Sequence, residues 1–421
     1  MKLYNSLTDR VETFEPSGDE VSLYVCGITP YDTTHLGHAF TYTIADILVR
    51  YLESKGLKVK YVQNVTDIDD DILRKAREAE DDWRSVVNRW TTHYIKDMVE
   101  LNIRPPDYFP RATSAIPDII ENVKQLIEAG VAYESGSSVY YDVDDCPDFG
   151  KLSNLPRHEM LPVANERGNH PDDPNKQDPL DFVLWQRSAP GEPFWESPWG
   201  YGRPGWHIEC STLATKYLGK TIDIHGGGAD LCFPHHECEI AQVEPVTKKP
   251  PFSRFWMHTA MVRYQGEKMS KSLGNLIMVD DLLEKYSADA IRLYLANQHY
   301  REAWSYDEKA LEESQELYVK IWEAKAVIGG KGDPLDSAAA WASFTSAMDN
   351  DLDTHEARRT LTGLADEILE GALAGRSVDD AQKALKEMST VLGLQLGSGP
   401  EERVVSGWDR YLEEFRQPAA E

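Results

Sequence analysis

His35 and His38 bracket Leu36-Gly37, and far downstream Lys268 and Lys271 bracket Met269-Ser270 between Gly266 and Gly274. Both patterns suit a polyphosphate. After His38 the apolar residues Ile44, Ile47, Leu48, Tyr51 and Leu52 recur at helical spacing, so the histidines are predicted to stand at the N-terminus of an amphipathic helix. That end offers unpaired N–H groups and the positive pole of the helix dipole. Gly37 lets a nucleotide approach the backbone, and each imidazole can donate to a phosphate oxygen. The lysine loop could close two ammonium groups over the same triphosphate as charge develops on it. A lone His-x-x-His reads better as solvent-exposed helix-start histidines, and a lone lysine pair can be a solvated loop. Both together, in this order and far apart, select nucleotide chemistry.

Sulfur supplies the second chemistry. Cys26 ends the strand-like run Val21-Ser22-Leu23-Tyr24-Val25-Cys26, Cys210 ends Gly202-Arg203-Pro204-Gly205-Trp206-His207-Ile208-Glu209-Cys210, and His235-His236-Glu237-Cys238-Glu239 follows. Thiolate, imidazole and carboxylate together suit a borderline-soft ion such as zinc. His235 and Glu239, four apart, share a face if their segment is helical. Five cysteines, an odd number without a small-domain framework, point to a reducing compartment. The start Met1-Lys2-Leu3-Tyr4-Asn5-Ser6 has no apolar signal segment and no 18-residue apolar run occurs, so a soluble cytoplasmic protein with no membrane partner is expected.

These groups need a scaffold. Residues 1 to about 80 read as a βαβ half-core, in which Lys58-Val59-Lys60-Tyr61-Val62-Gln63 delivers Asn64 and Thr66 to the C-terminal end of a strand. Open α/β sheets bind ligands at that end. Helices are expected from about 85 to 130, with Trp83, Trp90, Ile119, Ile120, Val123 and Leu126 on their apolar faces. The Pro-, Gly-, Asn- and Asp-rich stretch from about 145 to 205 is expected to be irregular. Ile222 and Ile224 alternate with Asp223 and His225 in a further strand that should feed a Gly226-Gly227-Gly228 turn. The second half-core spans about 206 to 250, and a helical stretch runs from Asp280 to Leu295. Asp307 to Trp322 and the Leu361, Leu364, Ile368, Leu369 series are helical on either side of the breaker Gly329-Gly330-Lys331-Gly332-Asp333-Pro334. The expected class is α/β. Its boundaries are 1–85 for the first half of the core, 86–205 for a connective insertion, 206–305 for the second half with the lysine loop, and 306–421 for an α-helical bundle.

The paired His35-Leu36-Gly37-His38 and Lys268-Met269-Ser270-Lys271-Ser272 resemble the HLGH and KMSKS motifs of class I aminoacyl-tRNA synthetases. Over about residues 1 to 310, three longer motifs resemble cysteinyl-tRNA synthetases and their paralogue, the mycothiol-pathway cysteine ligase. They are Cys26-Gly-Ile-Thr-Pro-Tyr-Asp32, the Gly202 to Cys210 run, and Asp223-Ile-His-Gly-Gly-Gly-Ala-Asp-Leu-Cys-Phe-Pro-His-His-Glu237. The resemblance implies a Rossmann-type parallel-sheet catalytic core that activates L-cysteine with ATP, accompanied by Mg2+, to cysteinyl-adenylate and then passes cysteine to an acceptor. It implies one zinc ion per chain on Cys26, Cys210, His235 and Glu239, leaving Cys146, Cys232 and Cys238 outside the ligand set. Zinc lowers a thiol pKa from about 8.5 and binds the thiolate, whereas a serine hydroxyl is a far poorer ligand, so one bond would discriminate the substrate. The resemblance further implies catalytic roles for His35, His38, Lys268 and Lys271. It puts Gly27, Thr29, Thr41, Asn64 and Thr66 near the amino acid or adenylate, Trp206 against the substrate, and Gly228 and Asp230 near the adenosine. Outside that context Trp206 reads equally well as core packing.

The acceptor divides the reading. Thr29-Pro30-Tyr31-Asp32 and Asn165-Glu166-Arg167-Gly168-Asn169-His170-Pro171 resemble the mycothiol ligase, which takes a glucosaminyl-inositol amine. Tyr140-Tyr141-Asp142-Val143, Phe149-Gly150-Lys151-Leu152-Ser153 and Glu239, a ligand position the paralogue lacks, resemble the synthetase, which takes tRNA(Cys). The basic anticodon-binding pattern usual in the synthetase is not found before Glu421. Residues 307 to 421 hold 24 acidic and 12 basic side chains, and the whole chain holds 71 and 44 for a formal net charge of −27. Phosphate affinity rests largely on Lys and Arg, so this balance disfavours broad capture of a polyanion. The synthetase reading is favoured, with the amino-sugar ligase as alternative and an inactive binding homologue as the third.

Overall fold

Burial alternates at the start of Glu20–Ile28 (β1) and becomes continuous through Leu23-Tyr24-Val25-Cys26, the pattern of a strand covered on both faces. In the computed structural model, which describes residues 1–269, 273–397 and 407–416, β1 pairs in parallel with Lys58–Val65 (β2) on one side and Ile222–Gly228 (β3) on the other. Ser253–Thr259 (β4) extends the sheet beyond β3, also in parallel, to give the order β4-β3-β1-β2. The strand order therefore reverses between β1 and β3. Cys26-Gly27 and Gly226-Gly227-Gly228 sit toward the C-terminal ends of those two strands, at the switch point where open parallel sheets bind ligands.

Between β1 and β2 runs the helix Leu36–Ser54 (α1), whose Ile44, Ile47, Leu48, Tyr51 and Leu52 are all buried. His35 is its N-cap, as the spacing predicts. Trp83–Glu100 (α2) follows β2, Trp206–Leu218 (α3) precedes β3, Glu237–Thr247 (α4) connects β3 to β4, and the short Val279–Leu283 (α5) lies beyond the lysine loop. The helical stretch expected from Asp280 to Leu295 is two helices. Ser287 interrupts it by accepting from the Ala290 N–H at 3.3 Å as the N-cap of Ala288–Ala296.

Two further expectations are corrected. The stretch from 145 to 205 is ordered: it contains the helix Arg157–Asn165 and three strands of a five-stranded antiparallel sheet. Those strands, Phe182–Arg187, Trp195–Ser197 and Gly200–Pro204, are short and surrounded by turn residues that dilute their alternation. Buried Asp181 organises the segment, accepting from the Tyr133 hydroxyl at 2.6 Å and from the Val143 N–H at 3.0 Å. Gly226, Gly227 and Gly228 are strand rather than turn, in register with Met257, His258 and Thr259. Glycine is needed there for space, since a Cβ on Gly227 would stand 2.9 Å from Leu231 and 3.1 Å from the His236 ring.

C-terminal helices Glu308–Ala326, Ala338–Asp349, Thr354–Leu373 and Asp379–Val391 pack beside the core. A buried ion pair ties them to it. Arg292 donates to Asp46 on α1 at 2.6 Å, and to the carbonyls of Leu101 and Leu392 at 2.9 Å each. Burial opposes ionisation of Asp46, but Arg50 and Arg292 outweigh it and hold its carboxyl below the usual range. That contribution to stability is present above the unfolded pKa of about 3.9 and is lost as pH falls through the lower folded value. Arg292→Met leaves Asp46 with Arg50 as its guanidinium partner and frees two buried carbonyls. The expected cost is about 3 kcal/mol, read as a lower urea midpoint; an unchanged midpoint would remove the pair from the account of stability. No helix among the described residues is long and apolar enough to cross a membrane.

Candidate active site

Gly27 carries the closest approach in the sheet. A Cβ there would lie 1.5 Å from the Asn64 carbonyl oxygen, so only glycine lets β1 and β2 meet beside the Asn64 side chain. The Gly27 N–H donates to Asn64 Oδ1 at 2.9 Å, and Asn64 Nδ2 donates to Thr66 Oγ1 at 3.2 Å. This fixes the amide with its oxygen 3.6 Å from Cys210 Sγ, on the first turns of α3.

Cys26, Cys210, His235 and Glu239 are all buried, and one donor atom from each lies within 4.8 Å of the others. The sequence-predicted quartet is therefore brought together in space. His235 Nε2 is 3.2 Å from Glu239 Oε1, as expected for neighbours one turn apart, and Cys26 Sγ is 3.6 Å from the same oxygen. A second set, Cys26, His225, His236 and Glu239, meets the same spacing. Burial drives the Cys26 thiol well up, with Cys210 and Glu239 adding to it, and burial drives the Glu239 carboxyl well up. Burial also pushes His235 and His236 down, so these rings are neutral and able to ligate. Thiols, carboxylate and neutral imidazole with no guanidinium or ammonium among these contacts lack positive charge. Such a donor set fits a dication of the zinc type.

Around the quartet lies a network of histidines that the sequence reading did not assign to the site. His225 Nε2 sits 3.0 Å from Glu239 Oε2, His236 Nδ1 2.8 Å from His258 Nε2, and His207 Nδ1 2.9 Å from His235 Nδ1. Burial lowers His207, His225 and His258 to about 3 each. Hydrogen bonds from ring nitrogens to such partners fix tautomer and orientation. The adjacency of His225 to the glycines and of His236 to His235 was the available signal; His258, on β4, had none. Trp206 lays its ring over His235 at a centroid distance of 4.4 Å.

Other predicted positions lie near the C-terminal ends of these strands and at the start of α1. Thr41 on α1 meets Thr259 at the end of β4, Oγ1 to Oγ1 2.7 Å. Thr29 is half-buried just past β1, and Asp230 follows Gly228, where a Cβ would come within 2.5 Å of its Oδ1. At the start of α1 the Gly37 N–H donates to His35 Nδ1 at 3.1 Å, the His35 N–H to His38 Nδ1 at 3.5 Å, and the two rings stack at 3.8 Å. Lys268 ends the short strand Glu267–Lys268, paired with Arg263. Lys271 lies outside the described residues. The returning limb of the lysine loop reaches the histidines: the Leu36 N–H donates to the Ile277 carbonyl at 2.8 Å and the Val279 N–H to the Thr34 carbonyl at 3.0 Å.

Comparison with known proteins fits this geometry. Residues 13–316 match the profile of the tRNA synthetases class I (C) catalytic domain. A cysteine–tRNA ligase of Dehalococcoides mccartyi is 44% identical over 402 residues, covering 94% of this chain and 87% of the relative. That of Thermococcus kodakarensis is 48% identical over 313 residues, covering 74% and 65%. Among solved structures, Mycobacterium tuberculosis methionyl-tRNA synthetase with methionyl-adenylate superposes with a TM-score of 0.63 at 15% identity, covering 90% of this chain and 89% of that one. That likeness establishes the class I Rossmann-type fold. With a profile spanning most of its length and relatives this similar over most of theirs, the chain belongs to the class I tRNA synthetases of the cysteine type.

Proposed function

We infer that this enzyme is a cysteine–tRNA ligase that activates L-cysteine with ATP and transfers it to the 3′ end of tRNA(Cys). The observation that carries the reading is the buried Cys26, Cys210, His235 and Glu239 cluster at the switch point of a sheet whose neighbouring helix begins with His35 and His38. A zinc ion held by that quartet would supply a contact selective for thiolate over hydroxyl. Trp206 covers His235 and limits water on that side, while Asn64, held by the Gly27 N–H, keeps a fixed amide oxygen beside Cys210. The N-terminus of α1, with Mg2+ accompanying the nucleotide, would stabilise charge on the departing pyrophosphate as the cysteine carboxylate attacks the α-phosphate. Lys268 and Lys271 would add positive charge to the same group. No protein nucleophile is required; rate comes from positioning and from electrostatics that strengthen in the transition state. Thr41, Thr29 and Thr66 would bound the amino acid and adenylate, and Gly228 with Asp230 the adenosine.

The test is transfer of labelled cysteine, with ATP and Mg2+, to tRNA(Cys) and in parallel to glucosaminyl-inositol. Ester-linked cysteine on tRNA is the expected product. Label on the amino sugar alone would overturn the acceptor while leaving adenylate chemistry intact, and absence of cysteine-dependent ATP–pyrophosphate exchange would overturn both. The relatives give no support to the amino-sugar acceptor.

A further inference from the structure

Away from the quartet, α2 and α5 meet through three side chains that the chemistry above does not use. His93 and Asp97 lie one turn apart on α2, and Asp280 lies in the first turn of α5. His93 Nε2 is 2.9 Å from Asp280 Oδ2 and 3.8 Å from Asp97 Oδ2, and one donor atom from each of the three falls within 4.8 Å of the others. Asp97 is only 2% exposed. Its Oδ2 and His93 Nε2 are both buried atoms without a hydrogen-bond partner among the described residues. Burial pushes the Asp97 carboxyl up to about 8, with the Thr34 hydroxyl opposing and Asp280 adding to the push. A buried carboxyl oxygen without a hydrogen-bond partner is costly, and an imidazole nitrogen and a second carboxyl group converge on it.

We propose that His93, Asp97 and Asp280 form a second divalent-cation site. One imidazole and two carboxylates, with the half-exposed Asp280 leaving room for water, suit an ion of the Mn2+ or Zn2+ class better than the oxygen-only preference of Mg2+ or Ca2+. The site's place in the fold gives it a consequence. Asp280 follows Val279, whose N–H bonds the Thr34 carbonyl beside the N-cap His35. A cation there ties α2 to the limb of chain that returns from the lysine loop, and so couples metal occupancy to the alignment of the two phosphate elements.

Manganese alone serves as the probe, with the full chain carrying one equivalent of zinc for its cysteine-containing site, excess zinc removed, and no nucleotide present. Free Mn2+ is followed by electron paramagnetic resonance. The expected result is saturable uptake of one Mn2+ per chain, weakened by about tenfold or more in Asp280→Asn and in His93→Gln, with a Mn2+-dependent rise in melting temperature that both variants lose. Asp280 is surface-accessible, so that variant is expected to fold, and its circular dichroism and zinc content should match the parent. Absence of saturable uptake, or uptake unchanged in both variants, would overturn the site and leave Asp97 as a buried carboxyl beside a metal-free His93–Asp280 contact.

Discussion

Cys210→Ser is expected to reduce the preference for cysteine over serine in adenylate formation by about 10³-fold and to lower bound zinc well below one ion per chain. Sites built around a specific polar contact reject an analogue lacking it far better than apolar pockets reject a size change, and a metal–thiolate bond is such a contact. The structure makes the prediction specific to sulfur. Cys210 is 2% exposed and Cys26 5%, so neither is exposed enough to serve as a surface thiol, and Asn64 Oδ1 and Glu239 already stand within 3.6 Å of them. Serine keeps the volume nearly constant, so the fold should persist. The measurements are ATP–pyrophosphate exchange with each amino acid and zinc analysis of the same preparation. A variant that retains both zinc and the preference would remove the quartet from substrate selection. One that loses zinc and keeps the preference would assign selection to the surrounding pocket.

His38→Ala is expected to slow ATP–pyrophosphate exchange by about 10²- to 10³-fold while leaving the dissociation constant for cysteine within about twofold. The basis is position. His38 is the third residue of α1 and accepts from the His35 N–H in the capping turn, with its ring stacked on His35, where the helix end is most favourable to anions. Loss of a capping interaction costs about 1 kcal/mol, too little to unfold a domain whose α1 is buried along most of its length. Lys271→Ala should act in the same direction through the other phosphate element. Equal losses in exchange rate and cysteine binding would point to a disturbed pocket and would sink the transition-state role of His38.

Where each side chain's neighbours are local, the sequence discloses its place. The helix beginning at His35 follows from five apolar residues at helical spacing, and β1 and β2 follow from short runs rich in Val and Tyr that end at Cys26 and beyond Gln63. The metal-capable quartet is legible because its residue types are unusual and His235 and Glu239 are one turn apart. What stays hidden depends on contacts between distant segments. His258 reaches the site through β4, where its neighbours Met257 and Thr259 carry no hint of it. Gly226 to Gly228 look like a turn until the close approach of Leu231 and His236 explains why a strand would use glycine. The ordered sheet within 145–205 is held by Asp181, whose four hydrogen-bond donors come from Tyr133, Val143, Gln177 and Asp178. No period in the sequence announces such a hub.

The strand order β4-β3-β1-β2 also dictates how the chain must be made. Between the end of β2 at Val65 and the start of β3 at Ile222 pass roughly 160 residues, and β1 keeps one edge unpaired until they have been synthesised. At about 5–20 residues per second that interval is on the order of 10 s, during which Leu23, Tyr24 and Val25 lack the partner strand that later covers that edge. Such long-range closure is slow to form and open to wrong pairing. The candidate site lies on this seam, with Cys26 on one side and the glycines of β3 on the other. The yield of folded chain in cells should therefore depend on chaperones that shield this edge more than on the intrinsic stability of the finished core.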